Sequence, residues 1–377
     1  MKYRFMFRGL LASAFFLALV PTALASNTWY VDGVNGQDYN NCSSPQTACK
    51  TIGHAISLAS SGDSIMVAAA TYTENLTIRF SLNILGANAS TTIVDGGGKA
   101  SVVTIPSSSA HVTLSQLTIR NGSAQNGGGI NNSGTLTISN STISGNQAYC
   151  MPNGCFTGGG GIANGGTLTI NNSTISGNGA RCNAKCVATG GGIANAGTLT
   201  IYSSTITGNS LPYYGFDVGA GIYNGRTLTI YNSTISRNNA AGNYGYGGGI
   251  ANGIWGNGGP VTLQNSIVAN NSARAGPNCL NTMTSNGYNL SSDNSCSFHG
   301  PGDMNNTDPK LGTLGNYGGP TQTIPLLSGS PAIDAGNPSG CTDGKGHLLT
   351  TDQRGYPRPD KEDKTGCDMG AYEGQSD

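Results

Sequence analysis

The chain has 377 residues, with 18 Lys and Arg balanced by 18 Asp and Glu and a pI near 6.9. That balance excludes the basic stripe of a nucleic-acid binder and gives no attraction to an anionic membrane surface. Charged residues make up only 10% of the chain and glycine contributes 59 positions. Because β-branched residues nevertheless alternate regularly with polar ones, the reading is an elongated repeat domain and not disorder.

In chain order, residues 1–25 read as a secretory signal. Lys2, Arg4 and Arg8 precede a short apolar core from Leu10 to Val20, and Ala23 and Ala25 supply the small-residue cleavage pattern. No later stretch is apolar enough to span a bilayer, so no transmembrane segment is expected after signal cleavage. Ten cysteines behind an export signal make disulfides the default. Cys42 with Cys49, Cys279 with Cys296, and Cys341 with Cys367 are near enough in sequence to be local pairs.

Residues 26–63 form an N-terminal cap. Ile52, Ala55, Ile56 and Ala59 fall at helical spacing ahead of Gly62, which predicts a short helix over the open end of the repeat domain.

Residues 64–292 carry the repeats. A unit such as GGGIANGGTLTINNSTISGN recurs five times in succession, its lead isoleucines Ile130, Ile162, Ile193, Ile222 and Ile250 lying 32, 31, 29 and 28 residues apart. Fixed strand cores with drifting lengths between them are what stacked coils with tolerant loops produce. Leu136, Ile138 and Ile143 alternate with threonines and serines, the period of strands with one buried face. The fold class is therefore all-β: a single-stranded right-handed parallel β-helix with three strands per coil, an N-terminal capping helix and an irregular C-terminal cap over residues 293–377.

Three Asn columns, led by Asn132, Asn140 and Asn146, mark the bends, where stacked amides bond along the column and Asn tolerates a left-handed backbone. The glycine triplets are read as tight bends or close backbone approaches. No helix follows them as a phosphate loop requires. The same register places Cys150 over Cys182 and Cys155 over Cys186, and predicts two disulfides stapling neighbouring coils. Pairing within each loop is the alternative, and a zinc site from these thiols does not suit an oxidising compartment.

The start of the mature chain, from TWYVDGVNG to YTENLTI, resembles bacterial pectin-lyase-like right-handed β-helix proteins. The coils resemble the repeats of polymorphic outer-membrane-type surface proteins, and PLLSGSPAIDAGN, TDQRGYPRP and CDMGAYE resemble the choice-of-anchor Q domain. The resemblance implies a secreted protein, extracellular or loosely associated with the cell surface. It also implies lyase or glycosidase chemistry as one branch of function.

Such chemistry needs carboxylates, to hold Ca²⁺ or to act as an acid and base pair. From Gly96 to Ser292 the only acid is Asp217. No catalytic residue and no metal site are therefore assigned, and calcium among the C-terminal acids is the one cofactor left open. Arg354 is expected to pair with Asp368 or Glu373 and hold that cap together.

The candidate ligand surface is Tyr202 and Tyr231, stacked on consecutive coils, with Tyr223, Arg226 and Arg237 nearby and Tyr213, Tyr214, Tyr244 and Tyr246 in adjoining loops. Aromatic faces with polar tips suit sugars. A second surface is the threonine face Thr137, Thr169, Thr200 and Thr229, which resembles the faces of ice-binding solenoids. The leading expectation is a non-catalytic protein that binds polysaccharide or a cell-surface glycan, or acts in adhesion. The alternatives are a pectate-lyase-like or glycoside-hydrolase enzyme and, more remotely, an ice-binding protein.

Overall fold

The computed structural model describes residues 26–150, 156–182, 186–211, 215–242, 244–254, 257–344, 346–360 and 366–374. Residues 1–25, expected as a signal segment, lie outside them. The chain winds into a right-handed parallel β-helix whose strands stack in three long sheets of ten, nine and eight strands. One coil passes through Ile162–Asn164 in the eight-stranded sheet, Thr167–Asn171 in the ten-stranded sheet and Thr174–Ser176 in the nine-stranded sheet. Register is kept without slippage: Leu136 pairs with Leu168, Leu168 with Leu199, and Leu199 with Leu228. The inward residues of the sheets form one continuous core, and most of them are fully buried.

The bends explain the Asn columns and divide their work. The side chain of Asn132 donates to Asn164 at 2.8 Å, Asn164 to Asn195 at 2.8 Å, and Asn195 to Asn224 at 2.8 Å, so these buried amides satisfy one another. The column of Asn140, Asn172, Asn232 and Asn265 instead takes the left-handed backbone, with φ between 47° and 52°. Ser203, which interrupts it, is held at φ 39°. Both readings of the glycine triplets hold: Gly159 has φ 69°, and a Cβ on Gly160 would run into the Gly179 carbonyl of the next coil.

The N-terminal end is closed by the helix Ile52–Leu58, with Thr51 as its N-cap and Ile52 and Ala55 turned into the core. The other end is plugged by Phe298, 2% exposed, beside the Cys279–Cys296 disulfide. The first part of the expected cap, with Phe298 and Met304, covers that end, and the rest of the C-terminal segment does not sit over it. It runs back along the outside of the nine-stranded sheet: Arg237 donates to the Leu311 carbonyl at 3.1 Å, and the Ala371 amide donates to Thr234 at 3.1 Å. The reason is chemical. Ile267, Ala269 and Leu290 put apolar side chains on the outside of that sheet, and Leu311, Ile324, Ala332 and Met369 of the strap cover them.

The repeats also carry a feature beyond three strands per coil. Between the nine- and eight-stranded sheets the chain leaves the helix and returns, and these excursions stack into a lateral wing of two further sheets. Its outgoing strands, among them Gln147–Cys150 and Gly179–Cys182, belong to a six-stranded sheet. Its returning strands, Phe156–Gly158, Val187–Thr189, Phe216–Val218 and Tyr244–Tyr246, form a four-stranded sheet. Ala148, Ala180, Leu211 and Ala188 form a small core between them.

Cys42–Cys49, Cys279–Cys296 and Cys341–Cys367 are bonded as expected. The inter-coil staples are not. Cys150 and Cys182 are stacked in register, yet Cys182 bonds Cys186 within its own loop, across 6.2 Å between Cα atoms. In-register side chains on parallel strands are held about 4.8 Å apart at Cβ, beyond the roughly 3.5–4.5 Å that a disulfide requires. Cys150 is disulfide-bonded as well, and Cys155 lies outside the described residues.

Candidate functional site

The predicted ligand residues fall in different places. Tyr202 and Tyr231 do stack, with ring centroids 5.4 Å apart and planes 12° from parallel, at one edge of the ten-stranded sheet. Burial raises both phenols above their ordinary range, and the nearby Asp343 carboxylate adds to the rise. Stacking hides one face of each ring. The strap crowds Tyr231 through Gly344, where any side chain would collide with its ring. Tyr202 keeps a free face toward Asn171, and there it lines a groove of about 470 Å³ with Thr169, Thr200, Asp343 and Leu349. Asp343 is paired with His347 at 2.8 Å.

Thr137, Thr169, Thr200 and Thr229 do form a single in-register column on the outside of the ten-stranded sheet, continued by Thr262 and Thr284. Strap residues Leu349 and Thr351 share the groove that Thr169 and Thr200 line. Arg237 is occupied by the strap carbonyl described above, and Arg226 is exposed on the bend leading into the ten-stranded sheet. His111 is exposed, in the column of Thr135.

Tyr223 points elsewhere, into a cleft between the eight-stranded sheet and the wing. The cleft holds two cavities of about 240 and 200 Å³. The larger is floored by Ala163 and Ala194, in a column on the eight-stranded sheet that runs on through Tyr223 and Ala251. Small residues give depth on two coils, and the half-buried Tyr223 ring then rises as a wall. The opposite side is the wing sheet, whose outer column reads Phe156, Val187, Phe216 and Tyr244. The aromatic members of this column project into solvent: Phe156 is 67% exposed, Phe216 42% and Tyr244 50%. Phe216 and Tyr244 stack at 5.2 Å, and the Arg274 guanidinium lies 5.9 Å from the Tyr244 ring centre. Tyr244 and Tyr246 are thus strand residues, where loops were expected, and Tyr213 and Tyr214 lie outside the described residues. The sequence did hold a signal for this wall. Each of Phe156, Val187, Phe216 and Tyr244 stands six residues before its coil's lead isoleucine.

Asp217, the one acid between Gly96 and Ser292, belongs to the same wing sheet but faces its interior, in the column of Thr157, Ala188 and Gly245. It is 2% exposed, one carboxylate oxygen has no hydrogen-bond partner, and burial pushes its pKa up to about 6.

No protein family and no curated protein matches this chain. Among solved structures, the pectate lyase Pel9A aligns over 94% of this chain and 98% of its own at 13% identity, with a TM-score of 0.45. A pectin methylesterase in complex with a hexasaccharide covers 74% of this chain and 82% of its own, at 15% identity and a TM-score of 0.34. The pectin methylesterase PemA from Erwinia chrysanthemi has the same coverage, at 17% identity and a TM-score of 0.29. The likeness is one of fold.

Of the C-terminal acids, Asp352, Asp368 and Glu373 are buried and hold the strap, while Glu362 and Asp363 lie outside the described residues. Arg354 pairs with Asp352 at 2.7 Å, not with an acid of the final segment, and its guanidinium packs 3.6 Å from the Tyr372 ring centre while donating to the Glu373 carbonyl. Arg358 takes the partner expected of Arg354, meeting Glu373 at 2.7 Å with both side chains fully buried. Burial raises Glu373 to about 7 against the pull of Arg358. Gln353, unremarked in the sequence, is a fully buried hub: its carbonyl accepts from Thr205 at 2.6 Å and its amide donates to Thr174 at 3.0 Å. Among the described residues, the one close group of three metal-ligating side chains is Cys42, Cys49 and His54, and the two cysteines are bonded to each other.

Proposed function

We propose that this is an exported, non-catalytic glycan-binding protein whose ligand lies in the cleft between the eight-stranded sheet and the wing. One observation carries the reading: Phe156 stands exposed beside Tyr223 at a cavity floored by Ala163 and Ala194, and Phe216, exposed in the same column, lines a second cavity. Exposed aromatics in a concave site are costly to leave in water, and they suit the C–H faces of pyranose rings. Five disulfides predicted by cysteine count, four of them placed among described residues, fit an oxidising compartment.

Turnover has no support from the geometry. Among the described residues lining the two cavities none is Asp, Glu, His, Lys or Arg, whereas lyase and hydrolase mechanisms need such groups at the reacting bond. Asp352, Glu373 and Asp368 are buried and already hydrogen-bonded within the strap, so calcium would have to displace existing partners there.

Calorimetric titration with soluble polysaccharides tests this reading, alongside an assay for released reducing ends. Phe216→Ala and Tyr223→Ala should each weaken binding about tenfold, the equivalent of about 1.4 kcal/mol, with no product formed by any variant. Product release, or affinity indifferent to both substitutions, would overturn it.

A further inference from the structure

We infer that the ligand of the wing cleft is an uncharged polysaccharide; the inference rests on the glycan-binding reading above and narrows it to one chemical class. The walls are aromatic or aliphatic, from Phe156 and Tyr223 at one end to Phe216, Val218 and Ile254 at the other. The asparagine and threonine side chains that line the cleft are uncharged, and each has at least one hydrogen bond within the protein. Asn126 accepts from the Gly158 amide at 3.1 Å, Thr157 donates to the Gln125 carbonyl at 2.6 Å, and Asn281 donates to the Asn252 carbonyl at 2.8 Å. Asn164 and Asn195 are committed to the column at the bend. The cleft therefore presents ring faces and phenol tips.

A polyuronate bound there would bring a carboxylate on every sugar and lose part of its hydration against these walls without a matching cation among the described residues that line them. An unpaired charge moved into such surroundings costs several kcal/mol. Arg274 lies 5.9 Å from the Tyr244 ring centre and has its own partners, and Arg226, exposed on the bend after Tyr223, lines neither cavity. Calcium cannot bridge the charge either, because Asp217 turns into the wing and away from the cleft. A neutral chain meets none of these costs. Its hydroxyls stay toward water while its ring faces lie on the aromatic column.

The repeat itself supplies a test that does not threaten the fold. Ala194 and Tyr223 occupy the same position on consecutive coils, paired in register. Ala194→Tyr therefore copies a side chain the next coil already accommodates, and its ring would fill the larger cavity. The experiment titrates wild type and Ala194→Tyr with hydroxyethyl cellulose, xylan and galactomannan, and in parallel with polygalacturonate and alginate, each with and without calcium and at low and high salt.

The expected result is binding of at least one neutral chain, changed less than about twofold by salt and weakened about tenfold or more in Ala194→Tyr, with no binding of either polyuronate. The unchanged circular dichroism and melting of the variant would show that the coil is intact. Binding of a polyuronate, alone or beside a neutral chain, overturns this inference and leaves the glycan-binding reading standing. Failure of every polysaccharide to bind overturns both. Neutral-chain binding untouched by Ala194→Tyr removes the cleft as the site.

Discussion

Replacing Asp217 by Asn removes an ionisable group from the interior of the wing and leaves its shape unchanged. The rise of its pKa from 3.8 to about 6 corresponds to ~3 kcal/mol, at about 1.36 kcal/mol for each tenfold change. Because the folded pKa is the higher one, the folded wing binds the proton more tightly than the unfolded chain does. Below about pH 4 both states are protonated and the full stability is present. As pH rises the unfolded chain ionises first, stability falls, and above about pH 6 the loss is complete. Asp217→Asn should therefore be close to neutral at low pH and stabilise the wing by up to ~3 kcal/mol near pH 8. Coils of a solenoid can open separately, so the assay is hydrogen exchange of the amides in Phe216–Val218 at several pH values, with global melting as a control. A variant less protected than wild type at pH 8 would refute the reasoning, since it would mean that the carboxylate is ionised and partnered in the folded wing.

Other substitutions address the strap and the ends. Gln353→Ala removes the buried hydrogen bonds to Thr174 and Thr205 that tie the strap to the coils and leaves a cavity at the seam; a loss of about 2–4 kcal/mol should appear as faster proteolysis of the strap while the N-terminal coils stay protected. Phe298→Ala empties the plug beside the Cys279–Cys296 bridge and should cost about 3–5 kcal/mol in chemical denaturation of the last coils. Peptide mapping of non-reduced protein should recover Cys182 joined to Cys186, and a Cys150 to Cys182 peptide would contradict the geometry.

Wherever one residue type repeats at a fixed interval, the architecture can be read before any coordinates exist. The lead isoleucines place the strands, the Asn columns place the bends, and Tyr202 and Tyr231 are recognisable as stacked neighbours, because in a solenoid equivalence in sequence is proximity in space. The strap is harder to see. One clue was present, since Ile267, Val268 and Ala269 are consecutive apolar residues where earlier coils alternate, the pattern of a strand covered on both faces. Thr174, Thr205 and Thr234 gave none: they are buried, yet their type equals that of the half-exposed Thr142. The wing was hidden for another reason. Its returning strands are three residues long, too short for periodicity, and only their constant distance from the next isoleucine marks them. The three local cysteine pairs are legible in their spacing, whereas the inter-coil staples fail because stacking in register does not bring Cys150 and Cys182 to bonding distance.

The strap changes what kind of object this solenoid is over time. A plain stack of coils can assemble as each one emerges, since every coil needs only its predecessor. Here Thr174 waits for Gln353, 179 residues later, and Thr234 waits for Ala371, 137 residues later. During vectorial synthesis or passage through a membrane pore, the outer threonines of the middle coils remain wet until the final segment arrives. Arrival of the strap is thus registered on the flank of the middle coils, far behind the point of emergence, by a seam that closes several coils at once.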